Sequence, residues 1–302
     1  MNQNYLPSSA EPISSETDWV AICHRLAGYD FPWELNRSLE LAVLKTFCIP
    51  HIAKLLHQTG EFEKRPQKRY DDTSLVLGNI LKWGYDSPRG SAAIKQMNRI
   101  HQRFDISNED FLYVLSLTIY EPIRWNQHFG WRLFTVTERQ ALFHFWYAVG
   151  ERMGLTDIPP TYEAFETFNQ AYEAQYCRYH PDNAAVGNAV VTLMQKWFPK
   201  VISPAVPFVV KTVADDVTRT ALGWAQPLPI VRLIVLGGLR LRRSLVLYLP
   251  HRRQASFIAD ATNKTYPSGY QLEALGPEMA VSPTPTPAAA SRCPFARMRS
   301  LL

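Results

Sequence analysis

The stretch SPRGSAAIKQMNRIHQRF, residues 87–104, predicts a helix with one apolar face. That face carries apolar residues at helical spacing, namely Ala93, Ile94, Met97, Ile100 and Phe104. His101 lies on the same face, four residues after Met97 and one turn before Phe104. An unpaired buried polar group costs about 1–3 kcal/mol, so a buried imidazole needs a partner. Periodicity alone leaves three partners open: a backbone carbonyl, a carboxylate or a metal.

The composition is that of an ordinary globular protein. Of the 302 residues, 46% are apolar, 20% charged and 12% aromatic. The net charge of +5 is mild and spread along the chain, whereas a nucleic-acid-binding protein usually concentrates more charge on one face. We therefore expect no nucleic-acid partner.

Helical periodicity recurs along the chain, and no strong alternating strand pattern appears. The pattern predicts about nine to twelve helices and an all-α fold. We expect a single large helical domain over residues 18–277. Residues 1–17 and the Pro- and Ala-rich residues 278–302 are expected to be disordered.

Local signals between the helices predict several boundaries. Residues 61–68, EFEKRPQK, are interpreted as a charged linker. Asp71 or Asp72 is a plausible N-cap for a helix over 73–83. If that helix begins earlier, Arg69 and Thr73 lie one turn apart on one face.

Two further boundaries are expected later in the chain. Glu121-Pro122 is expected to break or kink the apolar helix that begins near Phe111. Residues 205–222 are expected to form one helix.

The most apolar stretch is residues 228–249, LPIVRLIVLGGLRLRRSLVLYL. Its arginines argue against a membrane span, since a charge at mid-bilayer costs about 2.5–3.5 kcal/mol. A buried hairpin around Gly237-Gly238 and an interfacial helix both remain open. The arginines beside apolar sequence favour peripheral contact with an anionic membrane surface.

The cysteines and the N-terminus bear on location. The four cysteines are far apart and include no C-x-x-C pair, which argues against a zinc site or a disulfide framework. Free thiols in a reducing compartment are the default. The polar N-terminal sequence predicts neither a signal peptide nor an N-terminal anchor. We expect a cytoplasmic protein that contacts a membrane at most peripherally.

Beyond these signals, several segments match a known family in order. They are YDFPWE (29–34), IPHIAKLLHQTGEF (49–62), KRYDDT (68–73), QMNRIHQRFDISNEDFLYVLSL (96–117), EPIRW (121–125), IPPTYEAF (158–165) and TYPSGYQLEALGP (265–277). In these segments the chain resembles the fungal MpaB oxygenases, which are grouped with latex clearing protein, the rubber oxygenase. The resemblance spans nearly the whole of residues 29–277.

The resemblance implies an all-α fold with a globin-like core, a b-type haem, and the use of O₂ to cleave carbon–carbon double bonds. By position, His101 matches the axial ligand of the haem iron. Arg69 and Thr73 match the Arg and Thr on the distal side of the haem, and Thr118 matches a threonine on the helix after the ligand helix. The implied substrate is an apolar isoprenoid or lipid-like small molecule.

Three positions depart from the rubber-oxygenase pattern. Asn98 stands where that pattern has Arg, Asp72 where it has Lys, and Ser116 where a histidine is common. Two alternatives to the oxygenase therefore stay open. One is a haem-binding protein without oxygenase turnover, and the other is a membrane-associated helical interaction protein.

Overall fold

The chain folds into packed helices, as the computed structural model describes for residues 17–250 and 252–277. The described chain is 71% helical and contains no strand, which confirms the all-α prediction. The two predicted disordered ends lie, but for Thr17, outside the described residues.

Thirteen α-helices are found within the described residues. The first seven are α1 (Thr17–Arg25), α2 (Pro32–Thr46), α3 (Pro50–Thr59), α4 (Glu61–Lys64), α5 (Pro66–Trp83), α6 (Pro88–His101) and α7 (Asn108–Phe129). The others are α8 (Val136–Met153), α9 (Tyr162–Tyr176), α10 (Pro181–Gln195), α11 (Val206–Val213), α12 (Asp216–Ala221) and α13 (Pro229–Val246). A π-helical turn, Leu26–Asp30, joins α1 to α2.

Side-chain caps explain where the helices beside the site begin. The Ser87 hydroxyl accepts the Gly90 N–H at the start of α6, with Pro88 at the first helical position. Ser107 accepts the Asp110 N–H at the start of α7, as the S-x-x-D signal predicts.

The core is arranged around paired helices. Helix α5 packs against α6, α2 against α7, and α1 against α8. Large aromatic side chains fill the space between them, and Tyr120, Phe145, Trp146 and Phe165 are all fully buried. The C-terminal segment 252–277 lies across α5, where Ile258 and Ala259 approach Gly78. This segment contributes buried Phe257, Leu272 and Leu275 to the same core.

The prediction of a linker over residues 61–68 is wrong. Those residues form the short helix α4 and the first turn of α5. Gly60 separates α3 from α4 at a left-handed φ of 66°, which glycine adopts without steric cost. The helix that we expected from Thr73 therefore begins at Pro66, so Asp71 and Asp72 are interior residues and not caps.

Pro122 does not break its helix. Helix α7 runs through it to Phe129, because Ile119, Ile123 and Trp125 are buried on either side of it and hold both halves in place. Proline has no N–H, so the Thr118 carbonyl loses its usual helical donor.

Two more boundaries differ from the expectation. The helix expected over 205–222 is divided into α11 and α12, because Asp215 caps α12 through the Thr218 N–H. Residues 229–246 form one continuous helix through Gly237 and Gly238, so the hairpin alternative is wrong.

Candidate active site

His101 is the last residue of α6, and its ring is partly buried. Its Nδ1 atom is buried and has no hydrogen-bond partner within the described chain. The Phe111 ring of α7 lies against it, with 5.1 Å between ring centroids. Burial, together with the nearby positive charge of Arg69, lowers the pKa of His101 to about 4. The imidazole is therefore neutral at pH 7 and has a lone pair available for a ligand.

Arg69 and Thr73 lie one turn apart on α5, as the spacing predicts for a helix that begins early. The Arg69 guanidinium donates to the Thr73 hydroxyl, which in turn donates to the Arg69 carbonyl at 3.0 Å. The guanidinium also lies 5.2 Å from the centre of the Phe62 ring. Thr73 thus holds Arg69 in place.

The charge of Arg69 is not neutralised by an ion pair. No carboxylate of the described residues lies within salt-bridge distance of its guanidinium. Burial lowers the pKa of Arg69, while the fields of Asp72 and Glu61 oppose that shift. A partly buried cation without a bound anion, close to a neutral imidazole, is suited to binding an anionic group.

Thr118 lies on a partly accessible face of an otherwise buried helix. Phe111, Val114 and Thr118 follow helical spacing and are half-buried, whereas Leu112, Leu115 and the other neighbours on α7 are buried. The Thr118 hydroxyl donates back to the Leu115 carbonyl at 2.6 Å, as expected for a helical threonine. Seven residues of helix place Thr118 about 10 Å along α7 from Phe111, which touches His101.

Asp72 is neither an exposed cap nor a free base. It is buried, and its Oδ2 accepts from Lys68 Nζ at 2.8 Å. Its Oδ1 accepts from the Tyr266 hydroxyl at 2.5 Å. The carboxylate therefore holds the C-terminal segment on α5, and the prediction that Asp72 caps a helix is wrong.

Sequence similarity shows the family of this chain. Residues 38–259 match the family described as ER-bound oxygenase mpaB/B'/Rubber oxygenase, catalytic domain. The chain belongs to this family.

Three curated relatives are similar to this chain at low sequence identity. An ER-bound oxygenase mpaB' of Penicillium brevicompactum is 26% identical over 276 residues, covering 85% of this chain and 65% of the relative. An ER-bound oxygenase mpaB of Penicillium roqueforti is 27% identical over 242 residues, covering 74% and 81%. An ER-bound oxygenase mpaB of Penicillium brevicompactum is 28% identical over 203 residues, covering 61% and 52%. The match thus spans less than two thirds of the length of two of these relatives.

Ser116, where the resemblance implies a histidine, bonds to α7 and α9. Its hydroxyl donates to the Tyr113 carbonyl at 2.6 Å and accepts from Asn169 Nδ2 at 2.8 Å. Asn169 belongs to α9, so Ser116 helps to join α7 to α9. It is buried between those helices, on a different face from Phe111 and Thr118.

A polar cluster that the sequence does not predict lies at the start of α7. Asp110, which the sequence presents only as part of a cap signal, is buried and lies 2.6 Å from His51 Nε2. The Tyr172 hydroxyl donates to the same carboxylate oxygen, Oδ1. These three residues come from α3, α7 and α9, so no local spacing could have predicted that they meet.

The described residues include no group of three or more His, Cys, Asp or Glu side chains that could hold a metal ion. His101 stands instead as a single candidate ligand. Haem iron takes its equatorial ligands from the porphyrin and is commonly held by one protein histidine. Among the helices of the described chain, none has the length and apolar character needed to cross a bilayer.

Proposed function

We propose that this chain is a haem b-dependent oxygenase that cleaves a carbon–carbon double bond of an apolar isoprenoid or lipid-like substrate with O₂. The observation that carries the proposal is the unpartnered, buried Nδ1 of His101 beside the unpaired Arg69. Membership of an oxygenase family supports the reaction class.

The residues present fit such a group. A neutral imidazole with no hydrogen-bond partner is suited to binding iron, and an orphaned buried nitrogen is otherwise costly. Arg69 would pair with a haem propionate or with another anionic group of the reactants. Phe111 and Val114 would supply the apolar wall that a porphyrin and a hydrocarbon both require.

Haem b, when bound, would supply the iron at which O₂ is activated. The chain's own residues would orient and polarise the reactants. His101 would fix the ligand position at the end of α6, and Arg69, held by Thr73, would present a fixed positive charge. Asp72 is engaged by Lys68 and Tyr266, so we do not assign it the role of proton acceptor. The Thr73 hydroxyl contacts the Arg69 guanidinium directly.

The first test is an absorption spectrum of protein expressed with sufficient haem, together with a pyridine haemochrome assay. We expect a Soret band and near-stoichiometric haem b in the wild type. His101→Ala should abolish the band, whereas the matched variant His128→Ala, which removes an exposed imidazole, should retain it. Stoichiometric haem in His101→Ala would overturn the ligand assignment.

Turnover is tested separately with the haem-loaded protein. We expect O₂ consumption with an unsaturated isoprenoid, and carbonyl products detected by mass spectrometry. Full haem loading without O₂ consumption across a panel of such substrates would favour the haem-binding alternative without turnover.

We also propose peripheral membrane contact through residues 228–249. Helix α13 has no buried residue, and Ile230, Leu233, Ile234 and Leu241 are all more than half exposed. Between residues 217 and 259 the sequence holds seven arginines and neither Asp nor Glu. An exposed apolar helix that carries several arginines and no acidic residue is suited to an anionic bilayer surface. The relatives' name, ER-bound oxygenase, supports a membrane location.

Vesicle sedimentation tests this contact. We expect binding to phosphatidylcholine vesicles that contain phosphatidylserine, and weaker binding at high salt. Leu233→Glu should abolish binding, whereas Leu133→Glu, at a comparably exposed apolar position outside α13, should not. Equal binding by both variants would contradict the proposal, and self-association lost only in Leu233→Glu would instead favour a second copy on this face. Cytoplasmic location and the absence of a nucleic-acid partner stay predictions.

A further inference from the structure

The fold brings together two cysteines that are distant in sequence. Cys48 lies in the turn between α2 and α3, and Cys177 directly follows α9. The Arg178 N–H donates to the Cys48 carbonyl at 3.4 Å, and Asn183 Nδ2 donates to the same oxygen at 3.1 Å. The Cys48 thiol donates to the Leu44 carbonyl at 3.5 Å, and the Cys177 side chain packs against the apolar cluster that contains Cys48. These contacts hold the two backbones close to each other and place both side chains in one cluster.

The two thiols differ in access to solvent. Cys48 is fully buried, at 0% exposure. Cys177 is half-buried and lines a surface pocket of about 300 Å³, together with Arg178, Asp216 and Thr220. A small solute can therefore reach Cys177 from solvent, whereas Cys48 is shielded from solvent.

The surroundings also favour different protonation states. The neighbouring Cys48 thiol lowers the pKa of Cys177, and Lys45 and Tyr113 act in the same direction, whereas burial and Glu173 raise it. The neighbouring Cys177 thiol and burial raise the pKa of Cys48. Cys177 is thus the better candidate for the thiolate, which is the nucleophilic form of cysteine.

We propose that Cys177 and Cys48 form a peroxide-reactive thiol pair that closes to a disulfide. The Cys177 thiolate attacks one oxygen of hydrogen peroxide, the O–O bond breaks, and hydroxide leaves and becomes water by taking up the proton that Cys177 had released. The Cys48 sulfur then attacks the Cys177 sulfenic acid, the S–S bond forms, the S–O bond breaks, and a second water leaves with the Cys48 proton. Two thiols are oxidised by two electrons and one peroxide is reduced.

The helices on either side favour closure over further oxidation of Cys177. A disulfide requires Cα atoms within about 4.4–6.8 Å, and the bond from Arg178 to Cys48 holds the two backbones side by side. The ion pair between Lys45 Nζ and Glu173 Oε1, at 3.0 Å, clamps the same two helices one turn earlier. Because the backbones are already held together, closure needs mainly side-chain rotation.

Cys23 provides a matched control. It is also fully buried, but it belongs to the hydrophobic cluster around α1 and α8. Burial raises the pKa of its thiol. It is free of any disulfide, as are Cys48 and Cys177.

The test is a disulfide map of the folded full chain carrying Cys293→Ser, which leaves the three described thiols. After mild hydrogen peroxide treatment, we expect the mass of the protein to decrease by two hydrogens. Alkylation should then label one thiol where the untreated protein has three. Peptide mapping should find a cross-linked pair containing Cys48 and Cys177. Dithiothreitol should reverse the change. Intact Cys48 beside a sulfinic acid at Cys177 would overturn the proposal, and so would three free thiols after treatment.

Variants separate the two roles. Cys48→Ser should leave a sulfenic acid at Cys177 that dimedone traps, whereas Cys177→Ser should leave Cys48 unmodified. Cys23→Ser should behave like its parent. If either pair variant fails to fold, the map of the parent protein still decides, because it depends on no substitution within the pair.

Discussion

Lys45 on α2 and Glu173 on α9 form a buried ion pair, with 3.0 Å between Nζ and Oε1. The same ammonium lies 3.3 Å from Glu121 and 2.9 Å from Asp215. One cation therefore holds three carboxylates from different helices, so α2, α7, α9 and the start of α12 are tied at a single point.

Lys45→Met is expected to destabilise the protein by about 3 kcal/mol at neutral pH, because it leaves buried carboxylates without their cation. We take the lower end of the usual range because Asp215 is half exposed. Chemical denaturation measures the loss. Lys54→Met, at an exposed position on α3, should change stability by less than about 0.5 kcal/mol.

The pH dependence of this variant has a definite sign. In the wild type, burial raises the pKa of Asp215, but Lys45 and Thr218 lower it more, so the net pKa is below its usual value. The stability that the Asp215 carboxylate contributes to the fold is then present above the unfolded-state pKa of about 3.9. It is lost as pH falls through the folded-state pKa. Without Lys45, burial should raise the pKa of the Asp215 carboxyl. The destabilisation should therefore grow as pH rises from about 4 to 7, and a loss independent of pH would contradict this account.

Asp72→Ala is expected to loosen the C-terminal segment from α5. The substitution removes the acceptor for Lys68 and for the Tyr266 hydroxyl, at a cost of about 1–3 kcal/mol. Hydrogen exchange over residues 264–276 should accelerate. Asp260→Ala, which removes a half-exposed partner of Lys82, should cost about 1 kcal/mol or less. Unchanged exchange in Asp72→Ala would argue against this role.

Arg242→Ala is expected to detach α13 from α2. The Arg242 guanidinium lies 3.5 Å above the Trp33 ring and 2.8 Å from the buried Glu34 carboxylate. Removing it leaves Glu34 without that cation, at a cost of about 2–3 kcal/mol. We expect faster hydrogen exchange over residues 229–246 and a lower melting temperature. Arg240→Ala, at an exposed position on the same helix, should change neither.

Two glycine substitutions should act in opposite directions. A Cβ at Gly28 would lie 2.7 Å from Cε2 of the buried Phe257 ring, so Gly28→Ala should cost about 1–3 kcal/mol. A Cβ at Gly237 meets no described atom within 4 Å, so Gly237→Ala should stabilise α13 by up to about 1 kcal/mol. Thermal unfolding measures the first effect and hydrogen exchange the second. A destabilising Gly237→Ala would mean that its backbone is not held in the helix described.

Much of the fold could be predicted from local sequence. The all-α class, the apolar helix that carries His101 and the cap at Ser107 depend on periodicity and on residues near in sequence. The boundaries that were wrong depend on distant contacts. Asp72 is of a residue type common at helix N-caps, but its carboxylate accepts from the distant Tyr266 hydroxyl, and α5 continues on both sides of it. A break at Pro122 does not occur, because buried neighbours on both sides keep α7 continuous, and a kink there stays a prediction.

The sequence by itself determined the helix class, the apolar face that carries His101, and the one-turn spacing of Arg69 and Thr73, because helical geometry follows from residues three and four positions apart. Only the tertiary structure decided that the His101 Nδ1 has no partner in the described chain, that Asp72 is engaged by the C-terminal segment, and that Cys48 meets Cys177. Each of these facts depends on which helices pack together. Packing is set by the burial of the whole apolar surface and not by any local pattern.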